Sequence, residues 1–336
     1  HGPLGDTRTT PAYESTSELK AVHESSWIKV KPLRAINARE AQNTLGLTAI
    51  GPVHLRRIPT VPASTQKNLI IAATNRFLVD IERPNCKALL TEFYNRLPCD
   101  FPWSPTPFYE YAARFPRMTA RDLIEIFENG SEHPLLSDYT LKNYIFTKRE
   151  KICKMVDYDP RLINAVNNTV KAIVGPEIHG FFKALAAILW DYEIRPGTRV
   201  SYGTGRSAND LGWWFDNADA TPGKHIIASG DDCSFIVTTP EWDTNIYGKT
   251  DGSRHDAHIQ PEDLIVEAEY LARNRMSLET TSWLERENTR VCKNGRLGVK
   301  AGTTGRRASG TPTTSPCNTL ATLARADRLL QGEKKE

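Results

Sequence analysis

In Ser25-Ser26-Trp27-Ile28-Lys29-Val30-Lys31 the apolar Ile28 and Val30 alternate with lysines, the period-two spacing of a short strand. The rest of the first fifty residues is polar and broken by Pro3, Pro11 and Pro32, so residues 1–50 read as an extended arm or cover. From Lys67 to Glu82 the spacing turns helical through Leu69, Ile70, Ala73, Phe77 and Leu78. Pro98, Pro102, Pro105 and Pro107 then punctuate an aromatic segment with Phe101, Trp103 and Phe108, whose rings are expected in a core. Helical spacing resumes over 109–114 and 119–128, where Thr119 followed by Asp122 suits an N-terminal cap. Residues 144–163 look extended, and 165–190 run helically with Phe181, Leu185, Ile188 and Leu189 on one face.

Gly203-Thr204-Gly205 marks a turn before a helix over Asn209 to Phe215, where Trp213 and Trp214 suit core packing, and Pro222-Gly223 marks another turn. His225 to Val237 is two β-prone runs joined through Gly230-Asp231-Asp232, a hairpin that lifts two carboxylates to its tip. Adjacent carboxylates at a turn repel unless a cation neutralises them; an ordinary surface turn is the alternative. Lys249 to Ile259 follows, with Asp251 and Asp256 expected to bracket a strand end and the turn before a helix beginning at Pro261-Glu262-Asp263. Two carboxylates from one element and one or two from a neighbouring hairpin are what a two-metal phosphoryl-transfer site requires. Gly305 to Thr319 is a loop of small hydroxyl residues that permits close backbone approach, running into a helix over Leu320 to Leu330. Asn318 is expected in the first part of that helix.

Composition narrows the picture without deciding it. The 336 residues carry 43 Lys and Arg against 40 Asp and Glu, and the resulting charge of +3 is too small to indicate a nucleic-acid partner by itself. Hydrophobic residues at 39% and charged residues at 25% exclude a disordered or fibrous chain. No apolar run approaches the ~20 residues of a membrane span. Cysteines 86, 99, 153, 233, 292 and 317 are too widely spaced for paired zinc ligands and read as free thiols of a reducing compartment. His255 and His258, three apart with no third ligand nearby, are weak candidates for zinc or a general base. Between Arg286 and Arg307, seven basic residues (Arg286, Arg290, Lys293, Arg296, Lys300, Arg306 and Arg307) face one Glu, a stretch suited to an RNA backbone.

Taken together, these motifs resemble the palm of viral RNA-dependent RNA polymerases of positive-strand RNA viruses, most closely the tombusvirus-like group. Asp251-x4-Asp256 resembles the first palm motif, Ser309-Gly310-x3-Thr314-x3-Asn318 the second and Gly230-Asp231-Asp232 the third. Upstream, Lys148-x-Glu150 with Asp159-Pro160-Arg161-Leu162-Ile163 resembles the fingers motif that holds the incoming triphosphate, although 164–171 lacks a further arginine usual there. The resemblance covers roughly residues 145 to 325. Here the Gly-Asp-Asp hairpin precedes the Asp251 motif, as in the permuted palms of permutotetraviruses and birnaviruses.

The resemblance implies an α+β right-hand polymerase fold with fingers-like residues 51–220 and palm motifs in 221–336. With eighteen residues after Asn318, the thumb is expected to be incomplete or absent. It implies that Asp231 and Asp251, with Asp232 as adjunct, hold two Mg2+ or Mn2+ ions. Lys148, Lys151 and Arg161 would hold the triphosphate, and Asp256, Asn318, Ser309, Gly310 and Thr314 the ribose. RNA template, primer or nascent strand, ribonucleoside triphosphates and other viral replicase proteins are the implied partners. The host cytoplasm, in a membrane-associated replication complex, is the implied location. The alternatives are another metal-dependent nucleotidyltransferase, of reverse-transcriptase-like type, and an RNA-binding structural or degenerate polymerase domain without catalysis.

Overall fold

A computed structural model describes residues 12–13, 26–31, 61–78, 86–150, 159–239, 245–252 and 255–332. The chain divides into two compact, discontinuous units: His1–Ile81, Lys142–Ala165 and Thr289–Thr304 in the first, Glu82–Leu141, Val166–Asn288 and Gly305–Glu336 in the second. Both mix helices and sheet, so the fold is α+β. These spatial units cut across the three consecutive segments expected from the sequence.

In the first unit, β1 (Ala12–Tyr13) pairs in parallel with β3 (Val61–Pro62). A five-stranded sheet has the order β2, β12, β11, β4, β5, formed by Trp27–Val30, Val299–Thr304, Thr289–Asn294, Lys142–Thr147 and Leu162–Ala165. The alternation at 28 and 30 is therefore a real strand, and it adds to a sheet edge. Helix α1 (Gln66–Ala73), capped by Thr65, whose side chain accepts from Asn68 N at 3.2 Å, continues into a π-helical turn, Thr74–Leu78. It covers one sheet face, burying Leu69, Ala72, Ala73 and Phe77 against Ile145, Leu162, Cys292, Leu297 and Val299.

The second unit contains α2 (Lys87–Arg96), α3 (Phe108–Ala112), α4 (Arg117–Asn129) and α5 (Asn168–Ile188). Helix α4 starts after Pro116 with no side-chain cap, so Thr119 lies inside it and is not its cap. Its sheet has the order β10, β9, β8, β7, β6, from Ile246–Asp251, Asp232–Thr238, Gly223–Ser229, Thr198–Tyr202 and Tyr192–Arg195. Only β7 and β8 run parallel, joined through α6 (Ala208–Ala220); every other pairing is antiparallel. After β10 a 3-10 turn, His255–His258, leads into α7 (Pro261–Arg273) and α8 (Leu278–Glu287). Helix α9 (Thr314–Gln331) packs on β7, β8 and β9.

The core of this unit joins Tyr94 of α2, Phe181 and Leu185 of α5, Ile226 and Ala228 of β8, Tyr270 of α7 and Leu320 and Leu323 of α9. Phe101 and Trp103 pack on Phe181, at ring distances of 5.4 and 5.5 Å, and Trp214 is buried against Trp190 at 4.8 Å. Cys86, Cys99, Cys233, Cys292 and Cys317 are free thiols.

Candidate functional site

Strands β8 and β9 pair from Gly223↔Thr238 to Ser229↔Asp232, leaving Gly230 and Asp231 as a two-residue turn. Gly230 has φ +64° and Asp231 does not leave the negative region, the type II′ pattern that places glycine first. On its other side β9 pairs with β10 in a register that sets Asp251 opposite Asp232. Gly252 N–H donates to Asp231 O at 3.2 Å, one position outside that pair, so Asp232 and Asp251 form a non-hydrogen-bonded antiparallel pair. In such pairs the two side chains share a face with Cβ atoms about 4.5–5.5 Å apart. The register thus makes Asp232 the direct cross-strand neighbour of Asp251, where the sequence favoured Asp231; Asp231 sits in the turn beside them. All three are exposed. Among the described residues, no group of three His, Cys, Asp or Glu stands ready to hold a metal ion.

Helix α9 ties the acidic elements together. It begins at Thr314, six residues before the start expected from the sequence, because loop hydroxyls close its entry: Thr314 Oγ1 receives Thr311 N–H at 3.1 Å and lies 2.9 Å from Thr311 Oγ1. Asn318 is therefore one turn inside the helix, almost wholly buried, and donates through Nδ2 to Asp256 Oδ1 at 2.7 Å. Its own Oδ1 is buried and without a hydrogen bond. Thr322, one turn further, donates to Gly230 O at 2.8 Å, and Thr319 Oγ1 accepts from Gly230 N at 2.8 Å while donating to Ser315 O at 2.9 Å. Arg325, in the next turn, reaches His255 Nδ1 at 3.2 Å. Asn318, Thr322 and Arg325 lie at i, i+4 and i+7, a single helical stripe meeting both the turn after β10 and the hairpin tip.

His255 is buried, and desolvation, reinforced by Arg325, Arg307 and His258, pushes its pKa down to about 3. It is a neutral acceptor for Arg325, and neither zinc ligation nor base chemistry is needed to explain it. Arg307 N–H donates to Asp256 O and Arg306 N–H to Ile259 O, both at 2.8 Å, locking the loop before α9 to the turn after β10. The Arg307 guanidinium grips Glu267 of α7 with two bonds, Nη1 to Oε2 at 2.8 Å and Nη2 to Oε1. Burial alone would lower the Arg307 pKa, and Glu267 more than reverses that, so the guanidinium keeps its charge. Burial and then Glu267 raise the neighbouring Cys317 thiol well above its ordinary value, which makes it unreactive.

This burial corrects the reading of 286–307 as one basic surface. Arg290, Arg306 and Arg307 are each no more than 3% exposed, and the Nη atoms of Arg306 and Arg307 donate to Ala257 O and Glu267 inside the protein. Arg286, Lys293, Arg296 and Lys300 are exposed, Arg286 in the second unit and the other three in the first. In the first unit Lys148 and Arg161 share one carboxylate: Glu150 Oε2 lies 3.1 Å from Lys148 Nζ and 3.5 Å from Arg161 Nη1. Lys148 N–H also donates to Arg161 O at 2.7 Å. Lys151 lies outside the described residues.

Sequence reasoning missed Thr319, Thr322 and Arg325, although together with Asn318 they fall at i, i+1, i+4 and i+7, a polar strip beside the apolar Leu320, Leu323 and Ala324. It also missed a cavity of about 900 Å³ in the second unit, bordered by Ser309, Gly310 and Thr314. Arg114, Lys171, Lys183 and Arg206 line it, and among the described residues no carboxylate does. Burial lowers the Lys171 pKa, and Arg206 is held by Ala186 O at 2.6 Å and stacks on Trp190 at 4.7 Å. The size suits a nucleotide-sized ligand and the lining an anion.

No helix among the described residues is long and apolar enough to cross a membrane. No protein-family model matches the sequence, and no curated protein matches it.

Proposed function

We propose that the chain is a template-directed, RNA-synthesising nucleotidyltransferase with a permuted palm, acting in the replication of a viral RNA genome in the host cytoplasm. The reading is supported above all by the α9 stripe. One helix carries the Asn318–Asp256 hydrogen bond and holds the tip of the Asp231-Asp232 hairpin, in the strand register that sets Asp232 against Asp251.

Asp232 and Asp251, with Asp231 beside them, would hold Mg2+ or Mn2+; an all-carboxylate donor set is hard and suits these ions better than zinc. Such ions, when bound, activate the attacking 3′-hydroxyl and neutralise charge on the phosphates. Asp256 orients the Asn318 amide, and a shift of the residues that bury it would let its unbonded Oδ1 accept a hydrogen bond from a ribose 2′-hydroxyl, a group that deoxyribonucleotides lack. Ser309, Gly310 and Thr314 shape the loop beside the basic cavity, where a sugar-phosphate chain would be neutralised. Lys148 and Arg161, with Lys151, would meet the triphosphate, exchanging Glu150 for phosphate oxygens.

The test is incorporation of labelled ribonucleotides on a primed RNA template with Mg2+. Asp232→Asn and Asp251→Asn are each expected to lower the rate by on the order of 10³-fold, several kcal/mol of transition-state stabilisation. Asn318→Ala is expected to erode the preference for ribonucleotides over deoxyribonucleotides. Full activity in both aspartate variants would sink the reading. A second reading is RNA binding without catalysis, which the exposed Arg286, Lys293, Arg296 and Lys300 would serve equally well. Tight RNA binding by the wild-type chain with no incorporation under either ion would decide for it.

A further inference from the structure

We propose that the open face of the five-stranded sheet in the first unit is a docking surface for single-stranded RNA. Residues alternate across this sheet: on β4, Asn143, Ile145 and Thr147 are buried, whereas Tyr144 is 48% exposed and Phe146 half-buried beside it. Helix α1 packs on the buried side. On the other side the register aligns Lys29 with Lys300, Lys300 with Lys293 and Lys293 with Tyr144, a row crossing four adjacent strands.

Three like charges on neighbouring strands, spaced about 4.8 Å from strand to strand, destabilise a sheet unless something neutralises them. The five strands contain no Asp or Glu. No carboxylate among the described residues pairs with these lysines; instead Trp27 lies flat over Gly302 with the ammonium groups of Lys29 and Lys300 at 5.5 and 5.7 Å from its ring. The row is thus held in place and left electrostatically open, complementary to a polyanion. The ring pair Tyr144–Phe146, 5.7 Å apart, ends the row with π-faces for unstacked bases, which favours a single strand over a duplex or an acidic protein segment.

The test uses the full chain without divalent ions or nucleotides, so it succeeds or fails independently of the catalytic reading. Binding of a fluorescent twelve-nucleotide oligouridine is followed by anisotropy against salt, with 4-thiouridine crosslinks mapped by mass spectrometry. The combined Lys29→Gln, Lys293→Gln and Lys300→Gln variant is expected to lose about tenfold or more in affinity, with the slope of log K against log salt reduced by about 2, as for three phosphate contacts on a single strand. Tyr144→Leu is expected to weaken binding about tenfold with the slope unchanged. Crosslinks are expected within 142–146 and 291–302. The substituted side chains are on the exposed side of the sheet, and melting curves verify that the variants fold. Unchanged affinity and slope in both variants, crosslinks confined to other segments, or displacement of the RNA by an equal charge of polyglutamate would each overturn the proposal.

Discussion

Two sets of ionisable groups meet helix α9, and the fold treats them in opposite ways. One set is buried and paired: the Arg307 guanidinium is gripped by Glu267, and the neutral His255 ring accepts from Arg325. The other, Asp231, Asp232 and Asp251, is exposed at the end of the sheet, with two carboxylates set side by side by strand register alone. Neither charge of the buried Arg307–Glu267 pair can be lost singly without leaving its partner stranded in a low-dielectric interior. The exposed ones repel one another, and among the described residues no cation forms an ion pair with them. Burial marks what the architecture requires, and unpaired exposure marks what a ligand would have to explain.

The harshest test of that contrast is Glu267→Ala. It strands the Arg307 guanidinium, and unfolding in urea is expected to show a loss of about 3–5 kcal/mol. Replacing both partners, Glu267→Leu with Arg307→Met, is expected to recover most of it, since the cost lies in the orphaned charge. A loss below about 1 kcal/mol for Glu267→Ala would break the comparison at its buried end.

Acid should expose the second buried contact. The folded His255 stays neutral down to about pH 3, whereas the unfolded ring protonates near its ordinary pKa of about 6.5. Below that value the unfolded state binds more protons, so stability is full above about pH 6.5 and falls as the pH drops towards 3. On the order of 2–3 kcal/mol should be lost by pH 4. His255→Gln, which keeps an acceptor for Arg325 and cannot titrate, should flatten that part of the stability profile. An unchanged acid slope would show that the ring is more solvated than its burial indicates.

Between the two extremes lies Thr319, which belongs to the architecture but serves the acidic tip. Thr319→Val preserves shape and removes the acceptor for Gly230 N–H, at an expected cost of about 1–2 kcal/mol. Because Gly230 precedes the two aspartates, incorporation activity should fall further than stability does. Equal losses in both would make Thr319 a core residue only.

How far the sequence reached depends on the range of the interaction. The hairpin at Gly230, the strand ending at Asp251 and the helix entered at Pro261 are local, written in turn residues and alternation, and they are visible along the chain. The 286–307 stretch misled because linear charge density does not reveal side-chain direction: the pleat of β11 sends Arg290 inward and Lys293 outward. The start of α9 was obscured because Thr311 and Thr314 close it through hydroxyl contacts. Local propensity favours a loop there. The choice of Asp232 as the direct neighbour of Asp251 depends on the pairing of β9 with β10, a non-local register that no window of sequence contains.

The smallest expected effect is the sharpest discriminator. Asp251→Asn and Asp232→Asn each remove one of two carboxylates facing each other across a non-hydrogen-bonded pair, where like charges are unfavourable. Neither carboxylate is buried, and asparagine keeps the shape, so unfolding free energy should change by no more than about 0.5 kcal/mol, with the sign towards greater stability at low salt. Raising the salt should erase even that gain, because screening weakens the repulsion it relieves. A loss of 2 kcal/mol or more would mean that the carboxylates anchor the hairpin and belong with Glu267 and His255. A change near zero, with incorporation abolished in the same two proteins, would separate the chemistry of this edge from the stability of the sheet that carries it.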